Sequence, residues 1–533
     1  MKKEPRIKAF LILALLSGAV LRLYKIGQES LWADESLFIL FRSGPTGFWP
    51  SLKFMWDKLC REGLDISNYG YRVFSTFWSS FFEGEFMLRL PSVIFGILCV
   101  FLIYKVGKLF FGRRAGLASA FIIAMAPFHV YYSQEFRMYS LISLLTLLAV
   151  YSLWKFMHSG EYRYLWVYII SSAVNFYMHI ATVFVLSAQV VFCVFWRKRF
   201  KYSFRQWAAG LGIIAFLIMP GIIFTLIELA RAGGLKQAAS YIFVSTASEA
   251  ISSRVPILCY TFKNMCIGYN AVRWVWITAS LLFLGLFFLA LVKVRQKEAL
   301  YLCLSCFLFP ILVMYSGRQM AYADRYLIPS SIFLYLIAGG GIACLQRNLT
   351  IMVLVPLFTL NCLALNNYYK GHLSAVKEEH IGIKEKPECR ESARYIYENF
   401  QEGDVIFHTE CNTVVPFRYY FNYRFNKTAG KNSRSFKQDE ISLMLHWTLE
   451  GEMAAFKSWD KVGELLTKTD FPLKGHKRLW LVFASWDPFK IACMPGSKER
   501  IKLELLEKEY ARKEVKHFKN LTVYLLVNPN GQI

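Results

Sequence analysis

The chain has 533 residues, with 62 Lys and Arg against 37 Asp and Glu, a formal net charge of +25. Yet 55% of it is hydrophobic and 17% aromatic, and its mean hydropathy is +0.34. A basic nucleic-acid binder carries more charge than the 19% found here, and a disordered chain is excluded by the apolar fraction, which leaves a multi-span membrane protein.

The charge is unevenly placed. Residues 381–533 hold 25 Lys and Arg and 20 Asp and Glu, so residues 1–380 hold 37 and 17. The first part is a series of long apolar runs, and the second has the composition of a soluble domain. We expect a polytopic membrane domain over 1–370 and a soluble domain over 371–533.

Apolar runs of about 17–25 residues are long enough to span the hydrocarbon core. They fall near 7–26, 89–110, 115–131, 138–157, 165–181, 182–196, 207–229, 272–292, 299–315, 326–345 and 349–366, eleven in all. Orientation follows from Lys and Arg in the short connections. Clusters such as Lys2, Lys3, Arg6 and Lys8, or Arg197, Lys198, Arg199, Lys201 and Arg205, fall on alternate connections, and 19 of the 37 cations lie there. That places the N-terminus in the cytoplasm. With an odd number of spans, the C-terminal domain lies outside the plasma (inner) membrane. A cleaved signal peptide is the other reading of the first run, but the run lacks a small-residue cleavage site.

Carboxylates are the rarer charges in the membrane part. Glu4, Glu161 and Glu298 fall on the cytoplasmic side, whereas Glu29, Asp34, Glu35, Glu135, Asp324 and several others fall outside. Ionisable groups at or near membrane depth are costly, so their clustering suggests function. For Asp57, Glu62, Glu83 and Glu85, ordinary solvation of an outer loop is the simpler account.

Asp34-Glu35 stands in Leu31-Trp32-Ala33-Asp34-Glu35-Ser36, with apolar and aromatic residues on both sides. Such walls raise a carboxyl pKa, which suits proton abstraction. A carboxylate at a helix N-terminus, opposing the dipole, fits equally well. A second polar island runs Tyr131-Tyr132-Ser133-Gln134-Glu135-Phe136-Arg137-Met138-Tyr139. It could bind phosphate or sugar, since Arg matches phosphate oxygens with its forked donors, or form an interfacial aromatic belt. A third island, Gly317 to Tyr326, contributes Arg318 and Arg325 as phosphate candidates.

These islands, in this order, resemble the lipid-phosphosugar glycosyltransferases of the GT-C fold. The likeness is to glycosyltransferase family 39, the protein O-mannosyltransferase and aminoarabinose lipid A transferase superfamily. Trp32-Ala33-Asp34-Glu35 is similar to its first-loop Asp-Glu motif. Arg89-Leu90-Pro91-Ser92, continuing to Leu109–Gly116, is similar to its second span and following loop. Tyr132-Ser133-Gln134-Glu135 with Arg137-Met138-Tyr139 resembles its best-marked signature. Tyr177-Met178-His179 resembles its Tyr-x-His, and Arg325-Tyr326 with Pro329 its Arg-Tyr before a late span. The likeness is close over 10–200 and looser over 300–345.

The resemblance implies a mainly α multi-pass membrane protein of GT-C fold, with about 11 transmembrane helices and a small C-terminal α/β extracytoplasmic domain. It implies inverting transfer of a sugar from a polyprenyl-phosphate donor to a protein, lipid or cell-surface glycan acceptor. Asp34 matches the general base, and Glu35 would orient Asp34 or the acceptor. Arg137 and Arg325 would hold the donor phosphate. Tyr132, Glu135, Tyr139, Arg72, His179 and Arg318 complete the implied substrate-binding set. No metal ligand is assigned; the lipid-phosphate sugar is a substrate, and a divalent metal is compatible with the family without being required. The family's His-Pro-Pro or Lys-Pro element of the first loop is absent from Asp65-Ile66-Ser67-Asn68-Tyr69-Gly70-Tyr71-Arg72, where Arg72 is the available cation. His179 reads equally as a structural residue at a helix end.

In the C-terminal part, 388–400 has helical spacing, 404–408, 479–484 and 520–527 read as strands, and 498–511 as a charged amphipathic helix. This pattern suggests a small α/β domain that either helps bind the acceptor or is a structural appendage. The twelve cysteines show no zinc spacing; those outside the spans, Cys60, Cys259, Cys266, Cys389, Cys411 and Cys493, are the ones placed for disulfides. A transporter or flippase of lipid-linked sugars is the alternative from another class, but it calls for charges along a path through the bilayer and for inverted repeats.

Overall fold

The computed structural model describes residues 4–40, 49, 53, 68–231, 247–270, 272–316, 324–373, 386–401, 403–408, 411–425, 477–484 and 510–529. The chain divides into two compact units. One is Met1–Ile26 with Gly47–Ile383, and the other is Gly27–Thr46 with Lys384–Ile533. The first-loop segment is therefore grouped with the C-terminal residues and not with the helices that flank it in sequence.

The first helices are α1 (Glu4–Leu23), α2 (Ala33–Leu40), α3 (Tyr69–Phe81), α4 (Glu85–Phe111), α5 (Arg113–Met125), α6 (Pro127–Ser133), α7 (Tyr139–Ser159), α8 (Tyr162–Met178) and α9 (Thr182–Trp196). Then come α10 (Phe204–Arg231), α11 (Ala247–Ile267), α12 (Arg273–Lys293), α13 (Lys297–Ser316), α14 (Ile328–Ala343), α15 (Arg347–Tyr369), α16 (Cys389–Asn399) and α17 (Cys411–Arg418). Each of the eleven apolar runs forms a helix, but only seven helices among the described residues are long and apolar enough to cross a membrane. The bent pair α5–α6 makes an eighth if counted as one span. The shortfall from eleven has simple causes: α1 carries Glu4, Arg6, Lys8 and Arg22, and α8 and α9 have 17 and 15 residues. The eleven-span count is thus not confirmed. Helices α3 and α11 lie outside the expected runs, because Ser, Thr, Asn and charged residues dilute their apolar content.

The run expected near 115–131 is broken by 60° between α5 and α6. Pro127 has no N–H to give the Ile123 carbonyl, and its ring disturbs the preceding turn. Arg22 repairs the gap. Its guanidinium donates to the Ile123 carbonyl at 2.9 Å and the Ala124 carbonyl at 2.9 Å, and also reaches Ser133 Oγ at 3.1 Å. A fully buried cation is tolerable here because it faces the negative end of a helix and its donors are occupied. Gly96 permits this approach: a Cβ there would strike Ser133 Oγ and sit 2.8 Å from Arg22 Nε.

Helix α14, with its leading turn, is the centre of the helical unit: 89% of its span window is buried, against 22% for α10. Large apolar side chains such as Phe195, Phe216, Val292 and Met352 point outward from the peripheral helices, as a lipid-facing surface requires.

The C-terminal unit contains a four-stranded sheet in the order β1-β2-β4-β3, from β1 (Val405–His408), β2 (Arg478–Ala484), β3 (Ala511–Phe518) and β4 (Leu521–Val527). β1 runs parallel to β2, with Val405 opposite Leu479, and the other two pairings are antiparallel. Val405, Phe407, Leu479, Leu481, Phe483, Tyr510 and Leu526 form its apolar core. The turn between β3 and β4 uses Asn520 at φ 60°, a conformation Asn accepts more readily than most residues. Helix α16 and three strands agree with expectation. The helix expected over 498–511 falls outside the described residues through 509, and Ala511 already belongs to β3, whose charged sequence hid it. Among the described cysteines, Cys259, Cys266 and Cys389 are free thiols; Cys60 and Cys493 lie outside the described residues.

Candidate active site

The Asp34-Glu35 pair opens α2. The Trp32 carbonyl accepts from the Glu35 N–H at 3.1 Å and the Ser36 N–H at 2.9 Å, so Trp32 heads the helix. Glu35 reaches back and accepts the Trp32 N–H at 3.4 Å, which is one half of a capping box. Glu35 is fully buried, and its Oε2 lies 3.4 Å from Nζ of Lys386, whose side chain is also buried. Asp34, one residue earlier, is half-buried. The segment before α2 is held by residues from the far end of the chain. Arg390 donates to the Gln28 carbonyl at 2.7 Å, the Arg390 N–H donates to Ser30 Oγ at 3.1 Å, and Ser30 Oγ donates to Glu391 at 2.9 Å. The Leu31 N–H donates to the hydroxyl of Tyr420 at 2.6 Å. Tyr420 lies in the π-helical turn Tyr419–Phe425 and is fully buried.

In the helical unit, the second island forms the bend between α6 and α7. Gln134 caps the C-terminus of α1: its amide donates to the carbonyls of Leu21, Arg22 and Tyr24 at 3.3, 3.0 and 2.7 Å, and its oxygen accepts from the Tyr368 hydroxyl at 2.7 Å. Glu135 is fully buried within the bend. Arg137 is buried too, with its guanidinium 5.6 Å from the Tyr139 ring centroid and 3.4 Å from that hydroxyl, while its carbonyl accepts from Ser92. The rings of Tyr132 and Tyr139 meet edge to face at 4.7 Å. The structure thus brings Tyr132, Glu135, Arg137 and Tyr139 into one buried cluster.

The Tyr132 hydroxyl continues into a network that sequence reasoning missed. It lies 2.8 Å from the hydroxyl of Tyr269, which donates to Asp324 at 2.9 Å, and Asn264 donates to the same carboxylate oxygen at 2.8 Å. Burial and the Asp324 charge push the Tyr269 phenol well above its usual pKa, so it stays a donor. Lys263, beside Asn264, is buried, and that burial lowers its ammonium pKa to about 8, with Asp324 offsetting part of the effect. The available signal was a lone lysine among apolar and aromatic residues of α11.

Arg325 is half-buried beside Asp324, with its guanidinium 5.6 Å from the Tyr326 ring centroid. His179 ends α8. Its Nδ1 accepts the Ala181 N–H at 3.1 Å, which leaves the proton of a neutral ring on Nε2, and its ring lies 4.7 Å from that of Tyr326. Arg72 is buried on α3 and donates to Asn68 at 3.0 Å, while neighbouring Tyr71 packs on Phe136 of the bend at 6.1 Å. Arg318 lies outside the described residues. Among the described residues, no group of three His, Cys, Asp or Glu side chains is placed to hold a metal ion.

Residues 74–224 match the family model described as dolichyl-phosphate-mannose-protein mannosyltransferase. Over the whole chain the fold is similar to that of ArnT from Cupriavidus metallidurans bound to undecaprenyl phosphate, at 12% identity and a TM-score of 0.54, with 98% of each chain covered. The apo state of that protein is similar at 12% identity and a TM-score of 0.55, covering 97% of this chain and 98% of the other. AglB, the archaeal oligosaccharyltransferase from Archaeoglobus fulgidus, in complex with an inhibitory peptide and a dolichol-phosphate, is similar at 10% identity and a TM-score of 0.51, covering 98% of this chain and 74% of that one. No curated protein matches the chain by sequence. The fold is therefore that of the GT-C membrane proteins. Within that class, residues 74–224 are similar to the dolichyl-phosphate-mannose-protein mannosyltransferase family, a likeness the motifs led us to expect.

Proposed function

We propose that this protein is an inverting glycosyltransferase that moves a sugar from a polyprenyl-phosphate donor to an acceptor on the outer face of the plasma membrane. The observation that carries the reading is the polar end of the helical unit. Arg22, Glu85, Arg89, Glu135, Arg137, Lys263 and Asp324, all buried, stand at or near helix ends that meet around the 134–139 bend. Buried ionisable groups gathered at one end of a bundle suit chemistry at a membrane surface, whereas transport calls for charges along a path through it. The fold supports the reading, as do the lipid phosphates bound by ArnT and AglB.

In this mechanism Asp34 takes the proton from the acceptor. The acceptor heteroatom attacks the anomeric carbon, the bond to the phosphate oxygen breaks, and the lipid phosphate leaves with inversion. Arg137, Arg325 and Lys263 stabilise the charge that grows on that phosphate, which is where fixed cations contribute most. Half-burial suits Asp34, because a base must be reachable by its substrate. The acceptor class is a hydroxyl or amine of a protein, lipid or cell-surface glycan. The positive connections support a cytoplasmic N-terminus and an outer C-terminal unit.

The test is Asp34→Asn in membranes supplied with a polyprenyl-phosphate sugar. Loss of a general base lowers transfer by about 10³-fold. Full activity in that variant would sink the base assignment.

A further inference from the structure

Adjacent carboxylates at 34 and 35 have different surroundings. Asp34 is half-buried, while Glu35 is fully withdrawn from solvent, accepting the Trp32 N–H on one side and facing the Lys386 ammonium at 3.4 Å. Glu29 supplies a second, more distant carboxylate, 4.0 Å from the same ammonium. A carboxylate buried this fully needs both a countercharge and a hydrogen-bond donor to be tolerated. Lys386 supplies the first and Trp32 the second. Around this pair, Tyr420, Glu391 and Arg390 hold Leu31, Ser30, Gln28 and Gly27 through the bonds described above.

We propose that Lys386 is a positioning residue for Asp34: by anchoring Glu35 it fixes the first turn of α2, and with it the direction of the Asp34 carboxylate. The C-terminal unit is then the mount of the catalytic base and not an appendage. This deepens the functional reading above and rests on it. Geometry of this kind has a large effect on rate, since displacing a reacting group by about 1 Å can cost on the order of 100-fold. Glu35, committed to Lys386 and Trp32, acts through Asp34 and does not itself take the acceptor proton.

The experiment compares Lys386→Met, Lys386→Arg and Asp34→Asn with the double variant Lys386→Met/Asp34→Asn, all as full chains in detergent or nanodiscs. Lys386→Met is expected to lower kcat by roughly 100-fold with little change in the donor KM, and Lys386→Arg to restore most of it. In the Asp34→Asn background, Lys386→Met should add almost nothing, because positioning a missing base has no effect. Two additive losses would mark Lys386 as merely structural. A second readout does not depend on the base assignment. Amide hydrogen exchange of residues 31–37 should rise in Lys386→Met while that of the β-strands stays unchanged. Unchanged exchange at 31–37, or kcat within twofold of wild type, overturns the proposal. Full activity in Asp34→Asn instead overturns the base assignment, and the exchange data then still decide whether Lys386 anchors the turn.

Discussion

The first-loop segment 27–40 and the bend 134–139 are both polar islands next to apolar helices, yet they use their polar side chains differently. In the bend, Gln134 caps α1, Tyr132 joins the Asp324 network, and Arg137 lies against Tyr139. An interruption at membrane depth must satisfy its own backbone, so much of its polarity goes into structure. In the first loop that work is done by Arg390, Glu391 and Tyr420, which belong to the C-terminal unit. Asp34, in the same turn, is half-buried. The comparison teaches that a polar segment can meet its structural demand either from within, as the bend does, or through partners distant in sequence, as the first loop does.

Substitutions can break this contrast. The largest stability effect is expected for Arg22→Leu, which strands the Ile123 and Ala124 carbonyls at the proline break. About 3 kcal/mol or more of destabilisation follows, seen as a lower thermal midpoint in detergent, with little native protein recovered. Gln134→Ala removes the cap of α1 and should cost about 2 kcal/mol in the same assay. If Gln134→Ala instead left stability intact and weakened donor binding, the bend would be a binding element first.

Lys263→Met is expected to raise the donor KM roughly 10-fold, a charge-assisted contact being worth about 1.4 kcal/mol or more. Because burial lowers Lys263 to about 8, its charge is present below that pH and lost above it. The kcat/KM profile should fall above about pH 8 in the wild type, and Lys263→Arg should move that limb upward. A limb unchanged by Lys263→Arg would remove Lys263 from the phosphate site.

The smallest effect separates the two units by acid. His408 is buried against Thr413, and burial holds its pKa near about 3, below the 6.5 of a free imidazole. With the folded value depressed, the stabilisation is complete above pH 6.5 and is lost as pH falls toward the folded value. Between pH 6 and 5 the C-terminal unit should lose about 1 kcal/mol, and His408→Gln should flatten that slope, as followed by hydrogen exchange of β1 and β2.

Much of the candidate site was legible because ionisable residues stand out in apolar surroundings. Asp34, Glu35, Glu135, Arg137 and Arg325 were visible for that reason. Lys263 and Asn264 were harder, because α11 is neither a clean span nor a clean loop. Lys386 was invisible as a partner, since nothing local to its own segment refers to Glu35. Strand β3 was hidden by its charges: its exposed side chains do not alternate with apolar ones.

The sequence by itself determined the class of molecule. Apolar runs long enough to form helices in lipid, and cations on alternate connections, are local quantities that can be counted along a chain. The tertiary structure alone decided the break of the third run at Pro127 and its repair by Arg22. It also decided that the first loop belongs with the C-terminal unit, and that Glu35 is held by Lys386 while Asp34 is only half-buried. Those outcomes depend on which distant groups reach a buried carbonyl or carboxylate, and burial itself exists only once the chain has folded.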